Sequence, residues 1–158
     1  MSDTPPYVTA LGKIPSGLSI ITAGTGEHPT GFLASWIQQV SFEPLQLVAG
    51  IKKGREIHDT VMEDGTFTVN ILAEADSVHL NHFSRSFDPG VDAFEGISTA
   101  PGENGVPYLT EALGHLECQV VSSTCPGDHD LVVGELTGGS FNGPGEPYVH
   151  IRSSGKSY

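Results

Sequence analysis

Apolar and polar positions along this chain change in short blocks, and few blocks run long enough for a helix. "GLSIITAG" (17–24) is a β-branched run closed by Gly24, which predicts a strand. "TGEHPTG" (25–31) is turn chemistry, and "GFLASWIQQVSFEP" (31–44) follows as a second strand, so 17–37 reads as a hairpin. "LQLVAGI" (45–51) predicts a third, buried strand, and "TFTVNIL" (66–72), which alternates, a fourth. Between them, "REIHDTVMEDG" (55–65) places Ile57, Val61 and Met62 at helical spacing and stops at Gly65. "EADSVHLNHFSRSF" (74–87) predicts a second helix, with Val78, Leu80 and Phe83 only roughly periodic. Residues 88–107 hold four Gly and three Pro and read mostly as loop. "LGHLECQVVSST" (113–124) and "DLVVGELTGGSF" (130–141) are long strands joined by the tight turn "CPGDH", and "EPYVHIR" (146–152) is the last. The pattern is mainly β: a Greek-key barrel with short helices plugging one side. It has too few βα alternations for a doubly wound sheet.

One stretch breaks the pattern. Residues 31–44 hold the only Trp of the chain, small neighbours (Ala34, Ser35) and two adjacent glutamines (Gln38, Gln39). In a core strand, one of two adjacent residues faces inward, so a Gln–Gln pair there makes little packing sense.

Composition narrows the partners. The 158 residues fit a single domain over 1–158, long enough to bury a core without disulfide or metal staples. The net charge of -12 repels phosphate backbones and anionic membranes, which argues against nucleic acid and membrane partners. Two cysteines, Cys118 and Cys125, are too few for a disulfide framework and fit a reducing compartment. The N-terminus has no basic flank leading into an apolar run, and no run approaches a membrane span, so a cytoplasmic protein is expected.

Candidate chemistry begins with absences. "AGTGEHPTG" contains Gly-Thr-Gly, but Pro29 stands where a dinucleotide fingerprint needs a helix to begin. There is no Walker loop and no Gly-x-Ser-x-Gly elbow. Three of the seven cations cluster at Lys52, Lys53 and Arg55, where Gly54 and a helix start make one small phosphorylated ligand comfortable. An ordinary solvated turn explains the same residues equally well. No metal site is expected. His115 and Cys118 are three apart on a strand and so face opposite ways. Cys118 reads as a small buried hydrophobe, and Cys125 as a turn thiol without a basic neighbour. In "GDHD" (127–130), His129 sits between two acids that favour its charged form and hold its orientation. It is either a locally capped turn histidine or a ligand contact at a barrel mouth.

Taken in order, "ASWIQQVS", "KKGR", "TVNIL", "HFSRSF", "LECQVV", "GDHDLVVGEL" and "HIRSSGKSY" resemble the flavin reductase-like family, the FMN-binding split barrels. The closest likeness is to the flavin reductase domain of cyanobacterial-type flavodiiron proteins. The likeness covers about residues 10–158. It implies FMN, with FAD as the alternative, NAD(P)H as reductant, and a homodimer with one flavin per subunit near the interface. It also implies that Leu33, Ala34, Ser35 and Trp36 line the flavin, and that Gln38, Gln39 and Val40 border the ring, whose polar edge suits amides. Ile51, Lys52 and Lys53 follow, with the cations near the phosphate. Phe83, Ser84 and Arg85 match the segment that closes over the flavin, and His129 the residue beside the nicotinamide. Many relatives carry Thr or Ser as a phosphate ligand where this chain has Ile57, with Arg55 as a substitute, and two prolines where it has Pro44-Leu45. The implied function is hydride transfer from NAD(P)H to flavin and on to an acceptor. Two alternatives are a non-catalytic flavin module serving a redox partner protein, and a split barrel that binds another ligand such as haem.

Overall fold

The computed structural model describes residues 4–158. In chain order the elements are α1 (Pro6–Gly12), β1 (Ser16–Gly17), β2 (Ser19–Ala23), β3 (Thr30–Ala34), β4 (Ile37–Phe42) and β5 (Leu45–Lys52). Then come α2 (Glu56–Asp64), β6 (Thr66–Ile71), α3 (Ser77–Phe83), β7 (Thr99–Pro101) and β8 (Pro107–Leu109). The chain ends with β9 (Gly114–Thr124), β10 (His129–Phe141) and β11 (Val149–His150). One antiparallel seven-stranded sheet runs β3-β2-β6-β9-β10-β5-β4.

The order of that sheet makes it a barrel. Laid flat, the strands of its two edges would lie roughly 29 Å apart at about 4.8 Å per step. Yet β3 and β4, the two edges, are consecutive in the chain with Ser35 and Trp36 alone between them. That link spans at most about 11 Å. The sheet must therefore curl until its edges meet, and the split of this split barrel lies at Ser35–Trp36. The stretch 31–44 is thus two strands with a bend, and the single strand expected there is corrected. A strand crossing the seam cannot keep one alternation, because the edges belong to different walls.

The expected strands at 17–24, 45–51, 66–72, 113–124 and 130–141 are present. The last expected strand shrinks to Val149–His150, which pairs with β1. The second helix covers Ser77–Phe83 rather than 74–87, begun by Asp76, whose carboxylate accepts from the His79 N–H at 3.1 Å. A third helix, α1, opens on Pro6, which suits a first helical turn. Helix α2 ends where Gly65 adopts the left-handed conformation (φ 68°) and donates its N–H to the Val61 carbonyl at 2.9 Å.

Two cores result. Ile21, Ile51, Phe67, Val69, Cys118 and Val132 fill the barrel. Ile20, Leu72, Phe83, Phe94 and Leu109 pack under α3 and the 93–112 loops. Adjacent Ile20 and Ile21 face different cores, which is why β2 is buried throughout. Each buried side chain of this size contributes about 1.5–3 kcal/mol. Burial pushes the Cys118 thiol up to about 12, helped by the Glu117 charge, so it behaves as the inert hydrophobe its sequence context suggests.

Candidate functional site

A cavity of about 780 Å³ opens at the seam. Its floor comes from β3 and the bend, with Leu33, Ala34, Ser35 and Trp36. One wall comes from the end of β5 and the start of α2, with Lys52 and Arg55. Phe83, Ser84 and Arg85, at the end of α3 and just beyond it, form a second wall, and His129 at the start of β10 completes the rim. The structure therefore brings these ten expected residues together. It does not bring the other five to the cavity. Ile51 is fully buried in the barrel core. Gln38, Gln39 and Val40 are exposed on edge strand β4, where the two amides bond main-chain oxygens of Gln39 and Ser41. Lys53 turns the other way and places Nζ 2.8 Å from Cys125 Sγ, which corrects the expectation that this thiol has no basic neighbour. That contact, with Coulomb attraction from the same sulfur, raises the Lys53 pKa.

The cavity is built for a polar, anionic guest. Among the described residues, the ion pairs all involve histidines, so Lys52, Arg55 and Arg85 hold no carboxylate in direct contact, although Glu56, Asp59 and Asp88 also line the cavity. Ser35 Oγ is buried with no hydrogen-bond partner. A buried hydroxyl left unpaired costs about 1–3 kcal/mol, so a polar group from outside the chain would relieve it. Gly50 keeps the bend tight: a Cβ there would meet Trp36 at 3.1 Å.

"GDHD" splits in two. The imidazole of His129 is buried, with Nδ1 2.8 Å from Asp128 Oδ1 and Nε2 3.0 Å from the Tyr158 hydroxyl. The hydrogen bond from His129 holds the Asp128 carboxyl below its usual range. The ring lies 4.5 Å from that of Trp36. Asp130 does not touch His129. It lies on the other face of the strand, 2.5 Å from His58 Nε2 on α2, and that bond holds its own pKa low. Burial of His58 disfavours its charge, but the hydrogen bonds to Asp130 and Asp59 outweigh this and raise its pKa. The expectation that both acids orient His129 is thus corrected to Asp128 alone. Two histidines three apart on α3 are engaged elsewhere: His79 Nδ1 bonds Asp76 at 2.6 Å, and His82 Nε2 bonds the Ala93 carbonyl at 2.8 Å. Sequence reasoning missed Tyr158, Tyr148 and His150, which also line the cavity; only their aromatic character marked them.

A barrel split at its own strand link, with an open cavity at the split, defines a split barrel. Comparison with known proteins gives the family: residues 11–157 match the flavin reductase like domain, and the chain belongs to that family. It is 39% identical over 151 residues to diflavin flavoprotein A 1 of Synechocystis, covering 94% of this chain and 26% of that protein. The chain thus spans about a quarter of the length of such curated relatives. Among solved structures, the Streptomyces globisporus NADH:FAD oxidoreductase SgcE6 superposes with a TM-score of 0.86 at 27% identity, covering 99% of this chain and 94% of that one. The same protein in complex with NAD and FAD fragments gives a TM-score of 0.83 at 25% identity, with the same coverage. Among the described residues no helix is long and apolar enough to cross a membrane.

Proposed function

We propose that this domain binds FMN in the seam cavity and acts as an NAD(P)H-dependent flavin reductase. The observation that carries the reading is the cavity itself: three cations outside any direct ion pair and an orphaned buried hydroxyl in a chain of net charge -12. The SgcE6 complex with NAD and FAD fragments supports it by likeness. Bound flavin would supply the redox chemistry, taking a hydride and returning electrons. Lys52 and Arg55 hold the phosphate by charge-assisted hydrogen bonds. Ser35 donates its hydroxyl to the guest. Ala34 and Ser35, being small, let the guest lie against the backbone. Phe83 and Trp36 exclude water from either side. His129, with Nδ1–H donated to Asp128, presents Nε2 at the rim to position the nicotinamide; no side chain acts as a nucleophile.

The exposed edge at Val40, Phe42 and Leu45 supports a homodimer, which light scattering tests. A second reading is a flavin module that relays electrons to a redox partner protein. It is favoured by the share of the relatives' length that lies outside this chain. The visible spectrum of the purified protein, after reconstitution with FMN and separately with FAD, tests the flavin. Retained yellow absorbance with FMN is expected, whereas a Soret band or a colourless protein overturns it.

A further inference from the structure

The segment after β11, residues 151–158, returns across the molecule and ends over the cavity. Its first half is anchored. The Arg152 N–H donates to the Gly12 carbonyl at 3.0 Å, and the Gly155 N–H donates to the Val8 carbonyl at 2.7 Å. The backbone approach is close here, since a Cβ on Gly155 would meet Leu11 at 2.6 Å. Beyond Gly155 the contacts change character. Among the described residues they are a local bond from the Lys156 N–H to Ser154 Oγ at 3.3 Å and one from the Arg152 guanidinium to the Ser157 carbonyl at 3.4 Å. Tyr158 then reaches the rim. Its ring lies 5.5 Å from Trp36, and its hydroxyl lies 3.0 Å from His129 Nε2. Two-thirds of the residue (67%) stays exposed.

These contacts fix a direction for the hydrogen bond. Asp128 accepts from Nδ1, so Nδ1 carries a proton, and in that neutral tautomer Nε2 is an acceptor. The Tyr158 hydroxyl therefore donates to the one ring nitrogen that faces the rim. A nicotinamide carboxamide offers an N–H donor of the same kind, and it would need the same nitrogen.

We propose that Tyr158 is a swinging latch over the nicotinamide subsite, seated on Trp36 and His129 when no dinucleotide is bound and displaced when one enters. This rests on the reductase reading of the same cavity. The anchor at Gly155 makes the motion local: the segment beyond it turns while the barrel and α1 stay packed. A seat of one hydrogen bond and a residue left two-thirds exposed holds weakly, so the latch lowers the binding-competent fraction without closing the site.

Titration of the FMN-reconstituted protein with NAD⁺ and NADP⁺, followed by the emission of Trp36, the only Trp, tests it alongside steady-state kinetics. Tyr158→Ala tightens dinucleotide binding and lowers KM about three- to tenfold with kcat unchanged, and Tyr158→Phe gives a smaller drop. An unchanged or weaker affinity in Tyr158→Ala, with normal wild-type turnover, overturns the latch and leaves the reductase reading standing. Tighter binding in Tyr158→Ala, with no turnover of either nucleotide by any variant, supports the latch and overturns the reductase reading. Absence of binding by all three proteins overturns the latch.

Discussion

Two aspartate–histidine pairs begin within three residues of each other and serve opposite faces of one strand. Asp128–His129 faces the cavity, and Asp130 reaches back to His58 on α2. The β10–β5 ladder explains the split. His129 stands opposite Lys52, and Asp130 stands opposite Ile51. Facing residues of an antiparallel pair share a side, so His129 lines the cavity with Lys52, and Asp130 turns to the packed side with the core residue Ile51. Similar chemistry in one tetrapeptide is thus separated by the pleat alone. Residues on the cavity face should change ligand behaviour, and residues on the other face should change stability.

The largest expected break is on the cavity face. Lys52→Ala combined with Arg55→Ala weakens FMN binding by at least about 100-fold, each charged contact being worth about 1.5–3 kcal/mol. The melting temperature of the flavin-free protein stays near wild type. Flavin fluorescence titration and calorimetry read the two effects separately. Next, His129→Ala is expected to raise the nucleotide KM about tenfold while FMN stays bound, the proposed role of the imidazole being to position the nicotinamide. Steady-state kinetics on the reconstituted protein check this, and a lower FMN occupancy would reassign the residue to the flavin.

On the opposite face, Asp130→Asn lowers the melting temperature and leaves both ligand constants in place. Its pH dependence has a definite sign. The His58 pKa is raised, so its contribution is complete below about pH 6.5, the unfolded value, and fades as pH climbs through the folded one. The Asp130 pKa is lowered, so its contribution is complete above about pH 3.9 and fades as pH falls through the folded value. The gap in melting temperature between wild type and variant is therefore widest between these limits and narrows toward pH 8. A gap that widens toward pH 8 would contradict the pairing. The smallest effect belongs to Asp128→Asn. That carboxylate is largely exposed, and an amide oxygen still accepts from Nδ1, so the nucleotide KM rises by about twofold.

The same pleat shows what could be read from the sequence. Strands with a continuous apolar run or a clean alternation, such as 45–51 and 66–72, were legible, as was α2 with its terminal glycine. Cations clustered along the chain stayed together at Lys52 and Arg55 because the ladder and the helix start hold them on one rim. Reading failed where neighbours in sequence part in space. The bend at Ser35–Trp36 sends the chain from one sheet edge to the other, a consequence of the strand order that no local pattern carries. Gln38 and Gln39 lie just past that bend, and the resemblance that placed them at the flavin finds them exposed on β4. Lys53 pairs with Cys125, 72 positions away, and Tyr158 reaches His129 across 29, contacts that only the closed barrel creates.

The central claim is hydride entry to a flavin held at the seam. Anaerobic addition of NADH or NADPH to the FMN-reconstituted protein tests it most directly. The yellow absorbance is expected to bleach rapidly with at least one nucleotide, and His129→Ala to bleach more slowly at low nucleotide but to catch up at saturation. Unbleached flavin with both nucleotides would contradict it.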